Sequence, residues 1–315
     1  MTDSYGRNVD YLRLSVTSRC NLRCRYCVPD QAPSACGQDL LSGEELLRIV
    51  RAAADIGVTK LRITGGEPLV RKGLPELCRR IAGISGIREI CLTTNGTLLP
   101  FCAAALKDSG VTRLNISLDT LDPRKYRLMT RCGTLEDALR GIDAAQAAGF
   151  ENTKINTVLI GGWNDAEAPR LLQWAGSRNL ELRFIELMPM TGPGVFSSEA
   201  YIPCSRLLPL LPPLSPLPSE GSVARRFSTP QGFTVGFITP LSQSFCSQCR
   251  RLRLTAEGAL KPCLHTSREI PLRGLSDEAM REAFLQALRE KPLCHPALSS
   301  RDMSASLSRM NHVGG

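Results

Sequence analysis

Long apolar runs are missing from this 315-residue chain. No stretch approaches the roughly 18 consecutive apolar residues that cross a bilayer, so no membrane partner is expected. The opening residues MTDSYGRNVD carry neither a basic stretch nor an apolar one, so no secretory signal is read there and the expected compartment is the cytoplasm. Aromatics are scarce at 5%, and none is interleaved with the basic residues 250 to 253, which argues against a stacking surface for RNA. Acidic residues are outnumbered, 30 Asp and Glu against 39 Lys and Arg, and a net charge of +9 suits a polyanionic partner, either nucleic acid or a phosphorylated small molecule.

Cysteine, by contrast, is abundant. Thirteen cysteines, an odd number, do not make a disulfide framework in a compartment that keeps thiols reduced; metal binding is the better explanation. At 43% hydrophobic and 22% charged, the chain reads as a soluble globular protein with one large core and a smaller attached unit.

Short β-branched runs alternate with segments of helical period, the pattern of parallel strands with crossover helices. Six strands are expected, at Tyr11 to Val16, Lys60 to Ile63, Glu89 to Leu92, Arg113 to Leu118, Thr153 to Leu159 and Leu182 to Glu186. Helices are expected at SGEELLRIVRAAADIG, where Ser42 and Glu45 form a capping-box pattern, and near Leu74 to Ile81, Pro100 to Lys107, Leu135 to Ala147 and Ala166 to Ser177. The strands run into SVTSRC, TGGEP, TTNG and SLDTLD, loops that would gather at the C-terminal edge of a parallel sheet or partial barrel. The proline-rich stretch 203 to 218 reads as an extended surface crossing. The expected organisation is 1–190, a 191–240 linker, and a 241–315 region with FTVGFITP as a strand or hairpin arm at its approach and a helix at Ser276 to Arg289.

Cys20, Cys24 and Cys27 lie in TSRCNLRCRYC with no fourth cysteine until Cys36. Zinc usually takes paired C-x2-C ligands and closes at four donors. C-x3-C-x2-C is read better by an iron–sulfur cubane, in which three cysteines hold three irons and the fourth iron stays open for an exogenous ligand. The second set, Cys246, Cys249 and Cys263 in FCSQCRRLRLTAEGALKPCLH, is open on spacing alone between a cluster and a zinc ribbon completed by His265.

C-x3-C-x2-C after a first strand, followed by GGEP after a second, resembles the radical S-adenosylmethionine (SAM) enzymes. The ordered set LRLSVTSRCNLRCRYC, LRITGGEPLVR, TTNG, LNISLDTLDP, KINTV, RFIELMP, GFITP, FCSQC and RLRLTAEGALKPCL, with a terminal GG, is similar across nearly the whole chain to the GTP 3′,8-cyclases of molybdenum cofactor biosynthesis.

That resemblance implies an α/β partial (β/α)6 TIM-like barrel with a small C-terminal iron–sulfur region. It implies two [4Fe-4S] clusters, on Cys20, Cys24 and Cys27 and on Cys246, Cys249 and Cys263. S-adenosylmethionine on the first would yield a 5′-deoxyadenosyl radical that takes the ribose C3′ hydrogen of GTP, after which C3′ bonds to guanine C8.

The residues implied at the cofactor are Tyr26, Gly66, Ser117 and Met188, with Gly66 leaving room that a Cβ would fill. Those implied at GTP are Arg13, Arg62, Thr93, Lys154, Arg183, Arg251, Leu252 and Arg253, and the second cluster would ligate the guanine. Gly314 and Gly315 would thread a tail toward the active site. An electron donor and a downstream cyclic pyranopterin monophosphate synthase are implied partners, and members of the family often pair as dimers.

One departure is Arg250, where the family pattern usually has asparagine, which puts an added cation beside the second cysteine pair. The remaining cysteines, Cys36, Cys78, Cys91, Cys102, Cys132, Cys204 and Cys294, read as packing residues or incidental thiols. The competing readings are a radical SAM enzyme acting on a peptide, with an auxiliary cluster, and a zinc-ribbon RNA-binding protein.

Overall fold

The computed structural model describes residues 1–28, 40–188, 200–218 and 223–295. All six expected strands are present: β1 (Tyr11–Ser15), β2 (Lys60–Thr64), β3 (Glu89–Thr94), β4 (Val111–Ser117), β5 (Lys154–Leu159) and β6 (Glu181–Glu186). Six more follow, β7 (Ser215–Leu217), β8 (Arg225–Ser228), β9 (Thr234–Ile238), β10 (Arg251–Leu254), β11 (Ala259–Lys261) and β12 (Ile270–Pro271). They form one sheet of order β12-β11-β10-β1-β2-β3-β4-β5-β6-β9-β8-β7. From β10 to β9 every pairing is parallel, so two strands late in the chain flank the six of the partial barrel; β11–β12 and β8–β7 attach antiparallel at the ends.

The helices are α1 (Gly43–Asp55), α2 (Leu74–Ala82), α3 (Ala103–Asp108), α4 (Pro123–Thr130), α5 (Leu135–Ala147), α6 (Ala168–Gly176) and α7 (Asp277–Arg289). In α1 the reciprocal Ser42–Glu45 capping box forms, and Gly57 beyond its end has φ +99°, a value other residues rarely adopt. Its apolar face, Leu46, Leu47, Ile49 and Val50, is buried. Each such side chain contributes about 1.5–3 kcal/mol relative to exposure, so packing rather than intrinsic propensity holds the helix. Helix α4 was not expected: its sequence PRKYRLMT buries only Tyr126, Met129 and Thr130, and the start signal is Asp122, whose carboxylate accepts from Arg124 and Lys125 N–H, with Pro123 at the first turn.

The proline-rich stretch differs from a plain extended crossing. Cys204–Leu210 forms a 3-10 turn around Pro209, and Ser215–Leu217 pairs as the outermost strand, where Pro216 is tolerated at a sheet edge.

The parallel strands do not bury both faces alike. Leu12, Leu14, Leu61, Ile63, Leu92, Leu114, Ile116, Ile155, Leu182, Phe184, Leu252 and Leu254 belong to the apolar core under the helices. Because successive side chains alternate faces, the intervening positions Arg13, Arg62, Arg183 and Arg253 turn to the concave face of the barrel. An all-parallel sheet normally reads as an unbroken apolar run; a polar concave face marks a binding interior.

Candidate functional site

Register aligns the concave face row by row. Arg253, Arg13, Arg62, Cys91 and Arg113 share one row across β10, β1, β2, β3 and β4. Thr93 pairs with Asn115, Asn115 with Lys154, Ser117 with Asn156, and Asn156 with Arg183, so Thr93, Ser117, Lys154 and Arg183 occupy the same face, as does Arg251 two residues before Arg253. Leu252 lies on the opposite face, wholly buried in the core, so a contact to a ligand in the interior falls to its main chain and not its side chain.

These cations are tied to one another and to carboxylates the sequence did not flag. Arg62 donates to Tyr11 Oη and, at 3.3 Å, to Thr93 Oγ1. Glu181 sits among Arg183 (2.5 Å), Arg226 (3.3 Å) and Lys154 (3.4 Å), and Glu89 pairs with Lys60 (2.6 Å) and Arg113. Burial, and then the neighbouring charge of Arg253, pushes Arg13 well below the usual guanidinium range. A face that gathers like charges in this way can attract an anion.

At the C-terminal edge, the loop after β1 carries Cys20, Cys24 and Cys27. Leu22 N–H donates to Cys20 Sγ at 3.3 Å, and Cys27 and Val28 N–H both donate to Cys24 O at 2.9 Å. Burial pushes the Cys20 thiol up to about 11 and Cys24 well above its ordinary value, so metal binding must displace these protons. Among the described residues no three His, Cys, Asp or Glu side chains converge to hold a single ion. A cubane offers one iron per thiolate and so spaces its ligands more widely than a single ion does; three thiols on one loop, one of them accepting an N–H at sulfur, fit it.

The GGEP loop is stitched to this one: Gly66 N–H donates to Thr17 O at 2.7 Å and Glu67 N–H to Arg19 O at 2.8 Å. A Cβ on Gly66 would stand 2.3 Å from Arg19 O and 2.7 Å from Ser18 O. The glycine therefore accommodates the cysteine loop's own backbone, and not only a ligand as the sequence suggested. Glu67, missed in the sequence, is 1% exposed and accepts from Leu69 N–H, Thr94 Oγ1 and Asn95 N–H, joining GGEP to TTNG.

Beside the cysteines a small, partly open pocket is lined by Cys24, Tyr26, Asn95, Ser117, Asp119 and others, bringing the expected Tyr26 and Ser117 together. Asp119, also missed, accepts from Tyr26 Oη at 2.9 Å and Val158 N–H at 2.8 Å, and burial raises its carboxyl to about 6. Met188 follows β6, half-buried, next to Leu187, which packs in a small cluster with Tyr26.

The second cysteine set lies at the other end of the strands. Cys246 and Cys249 precede β10, which runs parallel to β1, whereas Cys20 follows β1; one strand length, about 16 Å, separates the two levels. The β10–β11 hairpin returns Cys263 toward Cys249. Burial alone would raise Cys249, but Arg251 and Lys291 bring its thiol down to about 7.

Arg250 is turned away from the interior: it pairs with Asp10, ahead of β1, on the outside of the strand. The added cation is thus neutralised there. The His265 ring lies 5.3 Å from that of His295, tilted by 59°, and burial lowers the His265 imidazole to about 4. Cys78, Cys91 and Cys204 are buried, Cys102 is half-buried, and Cys132 and Cys294 are exposed; Cys36, Gly314 and Gly315 lie outside the described residues.

No helix of the described residues is long and apolar enough to cross a membrane. Residues 14–175 match the family described as the Radical SAM superfamily, and residues 180–296 match Molybdenum Cofactor Synthesis C. The GTP 3′,8-cyclase of Pelotomaculum thermopropionicum is 44% identical over the whole of both chains. GTP 3′,8-cyclase 1 of Pseudomonas aeruginosa is 42% identical over 99% of this chain and 98% of its own. Among solved structures, Streptococcus suis SuiB bound to S-adenosylmethionine shares the fold, with a TM-score of 0.65, 16% identity, and coverage of 91% of this chain and 67% of that one. The chain belongs to the radical SAM superfamily and, within it, to the GTP 3′,8-cyclase family.

Proposed function

We propose that this chain cyclises GTP to 3′,8-cyclo-7,8-dihydro-GTP, the first step toward molybdopterin, with S-adenosylmethionine as co-substrate and two [4Fe-4S] clusters. The observation that carries this reading is the placement of a cation-lined concave face between two cysteine sets at opposite ends of the same strands.

Cys20, Cys24 and Cys27 would hold the first cluster, with S-adenosylmethionine beside them, contacting Tyr26 and Ser117 of the adjoining pocket and, from the GGEP loop and the end of β6, Gly66 and Met188. Once bound and reduced, that pair supplies a radical able to remove a ribose hydrogen. Arg13, Arg62, Lys154, Arg183, Arg251 and Arg253, helped by Thr93 and the Leu252 main chain, would hold a triphosphate of about −4 charge through charge-assisted hydrogen bonds. Cys246, Cys249 and Cys263 would carry the cluster that fixes the guanine end. Binding at both ends leaves the ribose little freedom, and such positioning is worth several kcal/mol of barrier. Water would compete for reactive species, so the bound cofactor and substrate would have to cover the half-buried cysteine edge that the Gly66–Thr17 contact braces.

Loss of the C3′ hydrogen to 5′-deoxyadenosine and gain of one at N7 leave the product with the mass of GTP. The test is anaerobic turnover of the reconstituted protein with reductant, read by chromatography for a GTP isomer formed in step with 5′-deoxyadenosine. Consumption of S-adenosylmethionine with GTP unchanged would reject the substrate. An external one-electron donor and an enzyme that rearranges the cyclic product to a pterin complete the proposal, and Gly314 and Gly315 belong to it as residues needed for the cyclisation.

A further inference from the structure

Two buried cations that no motif picks out grip the second cysteine set. Lys291, just beyond α7, is 2% exposed, and its Nζ donates to Arg251 O at 2.7 Å, Pro262 O at 2.9 Å and Cys249 Sγ at 3.5 Å. An ammonium has three N–H bonds and no acceptor, so all of them are engaged. Pro262 adjoins Cys263, and Arg251 opens the strand that follows Cys249; one ammonium thus spans both arms of the hairpin carrying two of the three cysteines.

Arg7, 7% exposed, reaches the third: it donates to Cys246 O at 2.8 Å, Leu293 O at 2.9 Å and Pro292 O at 2.7 Å, while Asp3 holds its Nε at 2.6 Å. The stretch 291–293 is therefore fastened to all three cysteine positions, from the chain's beginning and from its end.

Taking an ammonium out of water costs several kcal/mol unless its surroundings return it. Two carbonyls return part of it. The contact with Cys249 Sγ is the one that points beyond mere anchoring, because a ligating sulfur is anionic and a cation beside it also stabilises the added charge of a reduced cluster.

We propose that Lys291, assisted by Arg7, is a positioning residue for the second iron–sulfur site: it presets the Cys246, Cys249 and Cys263 cradle and raises the reduction potential of the cluster bound there. This rests on the reading that those three cysteines hold a cluster. Through Arg251 O the same ammonium ties that cluster to the strand bearing Arg251 and Arg253, so its loss also loosens the interior around GTP.

The test compares Lys291→Met with the unsubstituted protein after anaerobic reconstitution, in the full chain and in a chain with Cys20, Cys24 and Cys27 replaced by alanine. Unsubstituted full chain is expected to hold about eight irons and the alanine chain about four. Lys291→Met should halve the iron of the full chain while the electron paramagnetic resonance signal of the first cluster still responds to S-adenosylmethionine, which shows that the barrel is folded. Lys291→Gln, which keeps a donor, covers a methionine variant that fails to fold: it should retain the cluster with a more negative midpoint potential and weaker GTP binding. A folded Lys291 variant with full iron, unchanged potential and unchanged GTP affinity overturns the proposal alone. An alanine chain that binds no iron with Lys291 intact overturns the second-cluster reading and the proposal with it.

Discussion

Arg13 on β1 and Arg253 on β10 are direct register partners on adjacent parallel strands, and Arg62 continues their row on β2. Three guanidinium groups, 9%, 7% and 7% exposed, lie side by side on one concave face. Burial and the like charges of Arg253, Arg62 and Arg251 disfavour the Arg13 cation, and a bound polyanion would offset that cost.

Replacing the central member should therefore separate stability from binding. Arg13→Met is expected to leave the ligand-free protein as stable or about 1 kcal/mol more stable, since burial and the like charges of Arg253, Arg62 and Arg251 all disfavour the Arg13 cation. GTP affinity should fall roughly ten- to hundredfold with the charge-assisted bonds lost. Calorimetry with and without GTP checks both. A variant that is destabilised yet binds GTP normally would mean that the row is structural.

Gly66→Ala tests the joint between the two loops. With Arg19 O only 2.3 Å from the added carbon, the GGEP and cysteine loops must part, at a cost of about 1–3 kcal/mol. The first cluster's iron should be lost while the second cluster's is retained. Full loading of both with an unchanged melting temperature would show that the glycine serves only the cofactor.

Asp119 gives a pH signature. Burial raises its carboxyl from 3.8 to about 6, so the folded chain binds this proton more tightly than the unfolded one. Its contribution to stability is complete below 3.8 and is lost as pH rises through about 6. Asp119→Asn keeps an acceptor for Val158 N–H and a donor toward Tyr26, and should remove that slope. Denaturant midpoints across this range should show the wild type losing ground to the variant as pH rises; parallel curves would contradict it.

Gly314→Ala and Gly315→Ala should reduce cyclisation while iron content stays complete. Normal turnover in both would remove the terminal glycines from the mechanism.

Much of the fold was legible because its signals are local. The alternation in YLRLS and KLRIT marks both the strand and its two faces, and Ser42 with Glu45 marks a helix start. Helix α4 escaped because its buried positions are few, although Asp122 followed by Pro123 was the available sign. That β9 and β10 flank the barrel on opposite sides depends on pairings far apart in sequence, which periodicity does not encode.

The site divides the same way. The cysteines and the concave-face arginines stand in motifs, whereas Glu67, Asp119, Glu181 and Lys291 gain meaning only from the residues the fold brings to them. Leu252 stood beside two ligand candidates in sequence, yet strand alternation sends its side chain into the core.

The measurement that tests the central claim most directly is anaerobic turnover with S-adenosylmethionine, a strong reductant and GTP deuterated at ribose C3′, with 5′-deoxyadenosine analysed by mass spectrometry. Deuterium in the 5′-deoxyadenosine is the predicted result, since it establishes both the radical class and the atom attacked. Cleavage of S-adenosylmethionine without deuterium transfer would contradict GTP as the substrate, and no cleavage by protein fully loaded with iron and sulfide would contradict the enzyme reading itself.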